Sequence, residues 1–234
     1  MSGLGQGYWG EVIAVLRSVI PVYDKVNRAI SLGKDMKFRL NGIHGRVHSG
    51  NLLLDAGSGY GNMSRLALYE TEGRARITMY DPIAEMLAAA KQLFQPLPSD
   101  ITMSSGVFEY MPFRSNIFDA VLCGYSLRDA IQLRPAVSEI HRVLKLGGRL
   151  IIVDLGKPDN PMLEACVSFY LRYILNILAF AVAGRVGLKF RALYGTYRRW
   201  PKNSELNSLL KEYFSKVDFD TRLQGAAVIV AAYK

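Results

Sequence analysis

Cysteine and histidine are scarce in this sequence, which limits the chemistry that it can carry. The two cysteines among 234 residues, Cys123 and Cys166, stand in apolar contexts and show no ligand spacing. This usage favours a reduced, intracellular compartment. His44 and His48 are spaced four apart on a predicted helix, but no third ligand accompanies them, and we expect no metal site. The first twelve residues lack a basic region followed by an apolar core, so we expect no secretory signal.

Acidic residues are also few compared with basic ones. Lysine and arginine number 29 against 20 aspartates and glutamates, which gives a net charge of +9. Such an excess is either carried by ordinary solvated side chains or complements an anionic partner, membrane lipid or nucleic acid. No nucleic-acid-binding motif is recognisable, so we expect no nucleic-acid partner. The length fits one domain with a sizeable core.

The sequence has no uninterrupted apolar run long enough to span a bilayer. Residues 161–195 are strongly apolar, but Glu164, Arg172 and Asn176 interrupt them, and the most apolar part, 173–183, is about half of the ~20 residues needed. Three interpretations remain: a lid over an apolar substrate pocket, a segment in the membrane interface, or an ordinary buried helix with a basic neighbour. The interface interpretation is favoured by the residues that follow, which are Arg185, Lys189, Arg191, Tyr194, Tyr197, Arg198, Arg199 and Trp200.

The most informative motif that is present is the run LLLDAGSGYGN, from Leu52 to Asn62. Buried aliphatic residues followed by three alternate glycines describe a strand that turns sharply into a helix, where glycine allows unusual backbone angles and close approach of a ligand. A second predicted strand, ARITMYD, ends at Asp81. A glycine turn beside an acidic strand end is typical of nucleoside binding, in which the acid accepts hydrogen bonds from ribose hydroxyls.

Strands and helices are predicted to alternate after an N-terminal helical region that Pro21 interrupts. The alternation indicates an α/β fold with helices on both faces of the sheet. We expect a helical cap over 1–50, an α/β core over 51–160, an apolar helical insertion over 161–200, and a closing helix and strands over 201–234. The predicted core strands are 51–56, 75–80, 100–104, 118–123, 148–154, 217–221 and 226–232, and the helices between them 61–71, 83–94 and 130–145, the last ended by Gly147-Gly148.

These motifs resemble those of class I S-adenosylmethionine (SAM) methyltransferases, and among them the ubiquinone/menaquinone biosynthesis C-methyltransferases. MPFRSNIFDAV (111–121) and RVLKLGGRLIIVD (142–154) are similar to segments common in methyltransferases. YDKVNRAISLGKDMKFR (23–39) is similar to the signature that precedes the SAM domain of the quinone enzymes, and GYSLRDA (124–130) to their F-G-L-R-N segment. The chain departs from the family at Phe38, where tryptophan is usual, and at Asp129, where asparagine is usual.

The resemblance implies a Rossmann-like, mixed seven-stranded sheet that binds SAM, with the N-terminal helices and an apolar helical lid added to it. Asp55 and the glycine turn would hold the methionyl part, Asp81 the ribose, and Arg39 the cofactor carboxylate. Asp81 would otherwise only cap the next helix through Pro82. Val107 stands where the family commonly has an acid or amide that contacts adenine. The full set of cofactor residues implied is Asp55, Gly57, Gly59, Tyr60, Gly61, Asp81, Val107, Phe108, Gly124 and Arg39.

The resemblance also implies that a ring carbon of a phenolic acceptor is methylated. Such a carbon is a poor nucleophile until a ring hydroxyl ionises, and phenols titrate near pKa ~10, so a nearby cation helps. Arg128 is the candidate for that cation, and Asp129 for holding it or accepting the proton. Tyr23, on one helix face with Asn27 and Ser31, could bond the substrate oxygen. Alternatively, Arg128 and Asp129 only pair with each other, and the Tyr23 helix only docks on the domain.

The predicted function is therefore SAM-dependent C-methylation of a prenylated quinol in respiratory quinone biosynthesis. The alternatives are methylation of another lipid or apolar phenolic compound, methylation of RNA, and a non-catalytic SAM-binding protein. The expected partners are the lipophilic acceptor and the membrane surface, and a homodimer remains open. We expect a cytoplasmic protein that associates peripherally with the membrane.

Overall fold

The fold is a seven-stranded sheet with helices on both faces, seen in a computed structural model that describes residues 3–95 and 100–234. The strand order is β3-β2-β1-β4-β5-β7-β6. The first five strands pair in parallel, and β7 runs antiparallel between β5 and β6. The expected mixed α/β sheet is confirmed. The strands are β1 (Leu52–Ala56), β2 (Arg76–Tyr80), β3 (Ile101–Ser104), β4 (Phe118–Gly124), β5 (Leu144–Leu155), β6 (Lys216–Arg222) and β7 (Ala227–Tyr233).

The central strands are apolar on both sides because helices cover both faces of the sheet. Leu54 packs in the cluster that contains α6 and α10, and its neighbour Leu53 packs in the opposite cluster with α3, α4 and α5. Successive side chains of a strand point to opposite faces, which explains this division. The helices are α1 (Gln6–Val19), α2 (Tyr23–Ile30), α3 (Asp35–Ile43), α4 (Asn62–Glu70), α5 (Ala84–Leu93), α6 (Leu133–Val143), α7 (Pro161–Phe169), α8 (Leu175–Gly187), α9 (Ala192–Arg199) and α10 (Asn203–Tyr213).

The expected end of α6 was wrong. The helix covers Leu133–Val143 instead of 130–145, and Gly147-Gly148 lie inside β5. Leu144 already has extended backbone angles and pairs with Phe118, and the register then shifts before Ala120 pairs with Arg149. The glycines serve this irregular stretch, since a Cβ on Gly148 would lie 2.9 Å from the Lys145 carbonyl oxygen.

The expected helical pairing of the two histidines was also wrong. Helix α3 ends at Ile43, and His44 caps it with an extended backbone. His48 lies in the following loop, so the two side chains do not share a helix face. His44 instead meets Glu70 of α4, with 2.9 Å between Nδ1 and Oε1. The pair belongs to the surface between α3 and α4 and has no part in the site described below.

The insertion after β5 is helical and packs against the N-terminal helices. Asn160 caps α7 by accepting from two backbone amides, and a π-helical turn over Tyr170–Ile174 joins α7 to α8. The inner side of this segment forms one cluster with Val19 and Val26 of the N-terminal region. Within the described residues, 3–95 and 100–234, one helical stretch is long and apolar enough to cross a membrane, judged by length and composition alone. That stretch is Pro161–Arg199. Its α8 part breaks at Gly184, whose backbone is not helical (φ 58°, ψ −142°).

Candidate cofactor and acceptor site

The glycine turn after β1 forms the floor of a cleft at the carboxyl edge of the sheet. Gly57 has φ +68°, and a Cβ built on it would lie 2.4 Å from Ser126 Cβ. The amides of Gly57 and Ser58 both donate to the Tyr80 carbonyl oxygen, which ties the turn to β2. The turn lies at the switch point between β1 and β4, where α/β sheets bind their ligands.

Replacing Gly57 with alanine is expected to destabilise the fold by about 2 kcal/mol or more, because the left-handed backbone costs ~1–2 kcal/mol and the new methyl group overpacks against Ser126. Gly73→Ala is the matched control, since Gly73 has φ +75° but nothing within 4 Å of its Cβ. Urea unfolding of both variants separates the two costs. Equal losses in the two variants would show that the contact with Ser126 is unimportant.

Asp81, at the end of β2, is 6% exposed and organises the turn opposite it. One carboxylate oxygen accepts from the Gly59 amide at 2.8 Å, and the other accepts from the Ile83 amide at 2.8 Å. Burial raises the pKa of Asp81 to about 6, against these two hydrogen bonds that lower it. The side chain bonds the amide of Ile83, which precedes α5, but it makes no cap hydrogen bond to the helix itself, so the simpler alternative was wrong. The side chain also lines the cleft.

Asp55 is the second buried carboxylate of the cleft, at the end of β1. It accepts from the Ser64 hydroxyl at 2.6 Å and from the Ser64 amide at 3.0 Å through one oxygen. Its other oxygen is buried and has no partner. Burial raises the pKa of Asp55 to about 6, because the hydrogen bonds from Ser64 and the charge of Arg39 offset it only in part.

The polar atoms of the cleft fit a cationic ligand that carries several donors. Four buried side-chain oxygens without a partner belong to residues that line it: Asp55 Oδ1, Ser58 Oγ, Glu109 Oε2 and Asp129 Oδ1. Buried polar atoms normally have hydrogen-bond partners, so a ligand with ammonium, amino or hydroxyl groups would supply the donors that these oxygens lack. A sulfonium nucleoside with an amino-acid tail satisfies this requirement. An anionic dinucleotide does not, because its diphosphate would meet carboxylates.

Two tyrosines and helix α1 cover the cleft from above. Tyr60 donates to the Ile20 carbonyl oxygen, and the Tyr23 ring lies 6.2 Å from the Tyr60 ring. Trp9, Ile13 and Leu16 of α1 complete the cover. The free volume is about 70 Å³, which is below the ~300–1,000 Å³ usual for ligand sites. The cleft in this structure is therefore smaller than the ligand sites of that range.

Gly124, Tyr125 and Arg39 form the wall between this cleft and a second cavity. Arg39 is 4% exposed, bonds Asp35 at 3.1 Å, and lies 4.6 Å from the centre of the Tyr125 ring. Its Nε has no partner. A Cβ on Gly124 would lie 2.4 Å from Met63 Cγ, so only glycine fits there. Arg39 and Tyr125 line both spaces, and the wall between the two is therefore one side chain thick.

The second cavity is apolar and has a volume of about 350 Å³. Helices α2 and α3 form one side of it and the inner face of α7 and α8 forms the other. Arg128 is one of the residues that line it and is 8% exposed. Its lining is Asn27, Ile30, Ser31, Leu32, Lys34, Asp35, Phe38, Arg39, Tyr125, Arg128, Leu155, Cys166, Val167, Tyr170, Leu171, Leu175, Leu193, Leu223, Ala226 and Ala227.

Arg128 is held by a carboxylate to which the sequence did not point. Asp154, at the end of β5 and fully buried, accepts a hydrogen bond from Nη1 of Arg128 and another from the Leu155 amide. Asp129 is more distant, with 3.9 Å between its Oδ1 and Arg128 Nε, and its side chain is 19% exposed. Burial raises the pKa of Asp129 to about 6, and the charge of Arg128 opposes that shift. The two neighbours in sequence therefore do not simply pair with each other.

The structure brings every sequence-predicted residue except Gly61 to one or both of these spaces. Gly61 instead faces the core, where a Cβ on it would lie 2.7 Å from both Met79 and Phe94. Val107 and Phe108 line the cleft, and the Val107 carbonyl accepts from Tyr80 at 3.0 Å. The acid that the family commonly has at Val107 is absent, but Glu109 presents an unpartnered oxygen to the same cleft. Sequence reasoning missed Glu109, Tyr125 and Asp154. Tyr125 follows β4 and Asp154 lies at the end of β5. Both positions could have been found from the sequence, because the carboxyl ends of parallel strands meet at the same edge of the sheet.

The seven-stranded mixed sheet with helices on both faces is the fold of class I SAM-dependent methyltransferases. Residues 5–234 match the model of the ubiE/COQ5 methyltransferase family, and the chain belongs to that family. It is therefore a methyltransferase that uses SAM. The family, enzyme class and cofactor expected from the motifs are confirmed.

Relatives with names that describe their activity span most of the chain. A ubiquinone/menaquinone biosynthesis C-methyltransferase UbiE from Syntrophotalea carbinolica is 28% identical and covers 83% of this chain and 81% of its own. A 2-phytyl-1,4-naphtoquinone methyltransferase from Nostoc punctiforme is 31% identical, and the match covers 79% of this chain and 80% of that relative. Among solved structures, a Haemonchus contortus phosphoethanolamine N-methyltransferase bound to S-adenosylhomocysteine has a TM-score of 0.57 at 20% identity, covering 78% of this chain and 38% of that one.

Proposed function

We propose that the protein methylates a ring carbon of a prenylated quinol in respiratory quinone biosynthesis. The observation that carries this proposal is the apolar cavity of about 350 Å³ that shares a wall with the cofactor cleft. An isoprenoid tail gains ~0.8 kcal/mol for each methylene that it buries there. Relatives named for quinone methylation support the same acceptor class. The helical cap over 1–50 and the insertion over 161–200 then serve as the two walls of the acceptor site.

The cleft residues take the roles that their contacts allow. Asp81 accepts from the ribose hydroxyls, and Arg39 binds the carboxylate of the methionyl part. Asp55 and the turn of Gly57, Gly59 and Gly61 hold the methionyl amino end. Phe108 packs on the base, and Glu109 replaces the missing acceptor at Val107. Tyr60 and Gly124 complete the enclosure. When bound, SAM supplies an electrophilic methyl group on a cationic sulfur.

Arg128 supplies the positive charge that the acceptor needs. It lines the apolar cavity together with Tyr125, where the ring of a tailed acceptor would lie. A guanidinium next to a phenolic hydroxyl lowers the pKa of the hydroxyl and favours the phenolate, whose charge is shared with the ring carbon. Asp154 fixes the orientation of this guanidinium from below. Tyr23 lines the cleft, and in this proposal it donates a hydrogen bond to the same acceptor oxygen.

Asp129 is the proton acceptor in this proposal. It would take the proton of the ring hydroxyl, and the ring carbon would then bond the methyl carbon as the bond from that carbon to the sulfonium sulfur breaks and its electron pair stays on sulfur. The proton displaced from the ring carbon would return to the phenolate oxygen and restore the hydroxyl. One proton is thus released for each methyl transferred, and it leaves through Asp129. Asp154 is fully buried and bound to Arg128, so it takes no part in this proton transfer. The carboxylate found here in place of the family's asparagine gives this chain its own base.

We expect kcat to rise with pH through about 6, because Asp129 must be ionised to take a proton and its pKa is about 6. The groups that face it are Arg128, Asp154 and Asp81. Asp129→Asn is expected to remove this rise and to lower kcat by ~10²-fold or more. The pH profiles of kcat for the two proteins test this expectation. An Asp129→Asn profile that keeps the same rise would assign the titration to another group.

The proposed function is tested with methyl-labelled SAM and membrane extract from a quinone-methylation mutant. Label should appear in a prenylated quinone, identified by mass spectrometry. Label in another lipid would instead support the broader lipid or phenolic acceptor. Label in added tRNA, together with salt-dependent tRNA binding, would support an RNA substrate. Saturable SAM binding without label in any product would leave a non-catalytic SAM-binding protein.

We further infer that the enzyme works in the cytoplasm as a peripheral membrane protein, since its acceptor resides in the bilayer. The support is the excess of basic residues and the apolar surface of the insertion. Each protomer contains both the cleft and the cavity within its own residues. A homodimer is therefore compatible with this function but not needed for it.

A further inference from the structure

The insertion carries an apolar stripe on its outer side. The exposed fractions are 76% for Met162, 57% for Phe169, 48% for Tyr173, 65% for Ile177 and 52% for Phe180. Spacings of seven, four, four and three place these side chains along one side of a helix. We call these five residues the outer face. Large apolar side chains grouped in this way are uncommon on soluble proteins and mark contact surfaces.

The opposite side of the same segment is already used. Leu171, Leu175 and Ala179 are buried against Val19 and Val26, and Val167 lines the acceptor cavity. The segment is therefore apolar on both sides, whereas a surface helix of a soluble domain usually has a polar outer side. The apolar residues of the inner side are accounted for by this packing and by the wall of the acceptor cavity. The outer face remains without a partner among the described residues.

Charge indicates what covers the outer face. Residues 161–202 contain one acidic residue, Glu164, and seven lysines and arginines. Four of these, Lys189, Arg191, Arg198 and Arg199, line a groove of about 600 Å³ between α1 and α9. An apolar stripe and clustered cations on the same insertion fit the headgroup and acyl boundary of an anionic bilayer. Two copies packed through this face would bring the same cations together.

The mouth of the acceptor cavity is apolar on the outside as well. Leu32 and Leu223 line the cavity and are 70% and 53% exposed. Both have a left-handed backbone, with φ +53° and +51°, which leucine rarely adopts. Cys166, exposed on α7, lines the same cavity. The helix that carries the outer face is thus also part of the mouth.

We propose that the outer face lies in the surface of an anionic membrane and holds the mouth of the acceptor cavity against the lipid. This inference rests on the proposed function for the identity of the cargo, a prenylated acceptor. The acceptor then passes from the bilayer into the cavity along apolar side chains, and its tail does not cross water. The basic groove binds the acidic headgroups beside the stripe.

The test is co-sedimentation with vesicles of phosphatidylcholine alone or with about one third phosphatidylglycerol. The wild-type protein should sediment with the anionic vesicles and more weakly with the neutral ones. The triple variant Phe169→Ser, Ile177→Ser, Phe180→Ser should bind anionic vesicles at least ~10-fold more weakly. The matched control, Tyr69→Ser, Tyr110→Ser, Leu146→Ser, removes side chains that are 76%, 81% and 84% exposed elsewhere and should bind like the wild type.

Activity on two acceptors separates this proposal from the proposed function. The outer-face triple variant should methylate a short-tailed, water-soluble quinol at the wild-type rate and a long-tailed quinol in vesicles at least ~10-fold more slowly. Circular dichroism and SAM affinity verify that it folds. Failure to methylate either quinol, in the wild type, would refute the proposed function and leave the vesicle result standing.

Three results would overturn the membrane proposal. The first is a wild-type protein that binds neither kind of vesicle. The second is an outer-face variant that binds anionic vesicles as tightly as the wild type does. The third is a wild-type dimer in sedimentation velocity that the triple variant abolishes, which would show that a second copy covers the face.

Discussion

Asp81→Ala is expected to bind SAM at least ~100-fold more weakly than the wild type. The carboxylate of Asp81 is the acceptor assigned to the ribose hydroxyls, and hydrogen bonds to a charged group contribute ~1.5–3 kcal/mol each. The same oxygens also bond the Gly59 and Ile83 amides, at 2.8 Å each, so the glycine turn and the start of α5 lose their link. Calorimetric titration with SAM measures the loss of affinity directly.

Asp119→Ala is the matched control for this loss. Asp119 also bonds a backbone amide, that of Leu52, and it meets Lys145 at 2.7 Å, but it lies at the amino end of β4, away from the cleft. Its removal should lower stability and leave the SAM affinity unchanged. Normal affinity in Asp81→Ala would exclude the ribose assignment. Equal losses in both variants would indicate general destabilisation.

Arg128→Lys is expected to lower kcat by ~100-fold or more with unchanged affinity for SAM. Removal of one donor that stabilises developing negative charge typically costs ~10²–10³ in kcat. Lysine keeps the positive charge beside Asp154, but it lacks the planar fork that can hold Asp154 and the acceptor oxygen together. Alanine would instead leave the fully buried Asp154 uncompensated, at a cost of ~3–5 kcal/mol in stability.

Two measurements decide this prediction: SAM affinity by titration and single-turnover methyl transfer to the quinol. A lysine variant with wild-type turnover would remove Arg128 from the chemistry. A variant with a normal kcat but a raised KM would make Arg128 a binding group for the acceptor. Thermal unfolding with and without SAM checks that the cleft is intact in either case.

The cofactor cleft could be predicted from the sequence because its signals are local. Leu52 to Asn62 forms a strand and a turn within eleven residues, and the left-handed angles of Gly57 and Gly61 are ones that glycine adopts without strain. Asp81 follows a strand with clear apolar residues. Each of these features depends on neighbouring residues, so a single sequence contains the needed information.

The partner of Arg128 could not be predicted in this way. Asp154 lies 26 residues further along the chain, and the two meet because β4 and β5 pair in parallel with a shifted register. The shift comes from the irregular stretch at Gly147 and Gly148, which the sequence suggested was a helix end. Glu109 reaches the cleft from the loop after β3, where no periodic pattern fixes the position of a side chain.

The two faces of the insertion show another limit. The sequence left open a lid, an interfacial segment or a buried helix, because all three need an apolar segment. The structure shows burial of Leu171 and Leu175 on one side and exposure of Ile177 and Phe180 on the other. Only the packing of α2 against α8 distinguishes the two sides, and that contact joins segments about 150 residues apart.

The thin wall of Arg39 and Tyr125 separates two chambers that open in different directions, one under α1 and one between Leu32 and Leu223. The demethylated cofactor can therefore be exchanged for SAM through one opening while the apolar acceptor uses the other. With the outer face in the membrane as proposed, the protein need not detach between catalytic cycles.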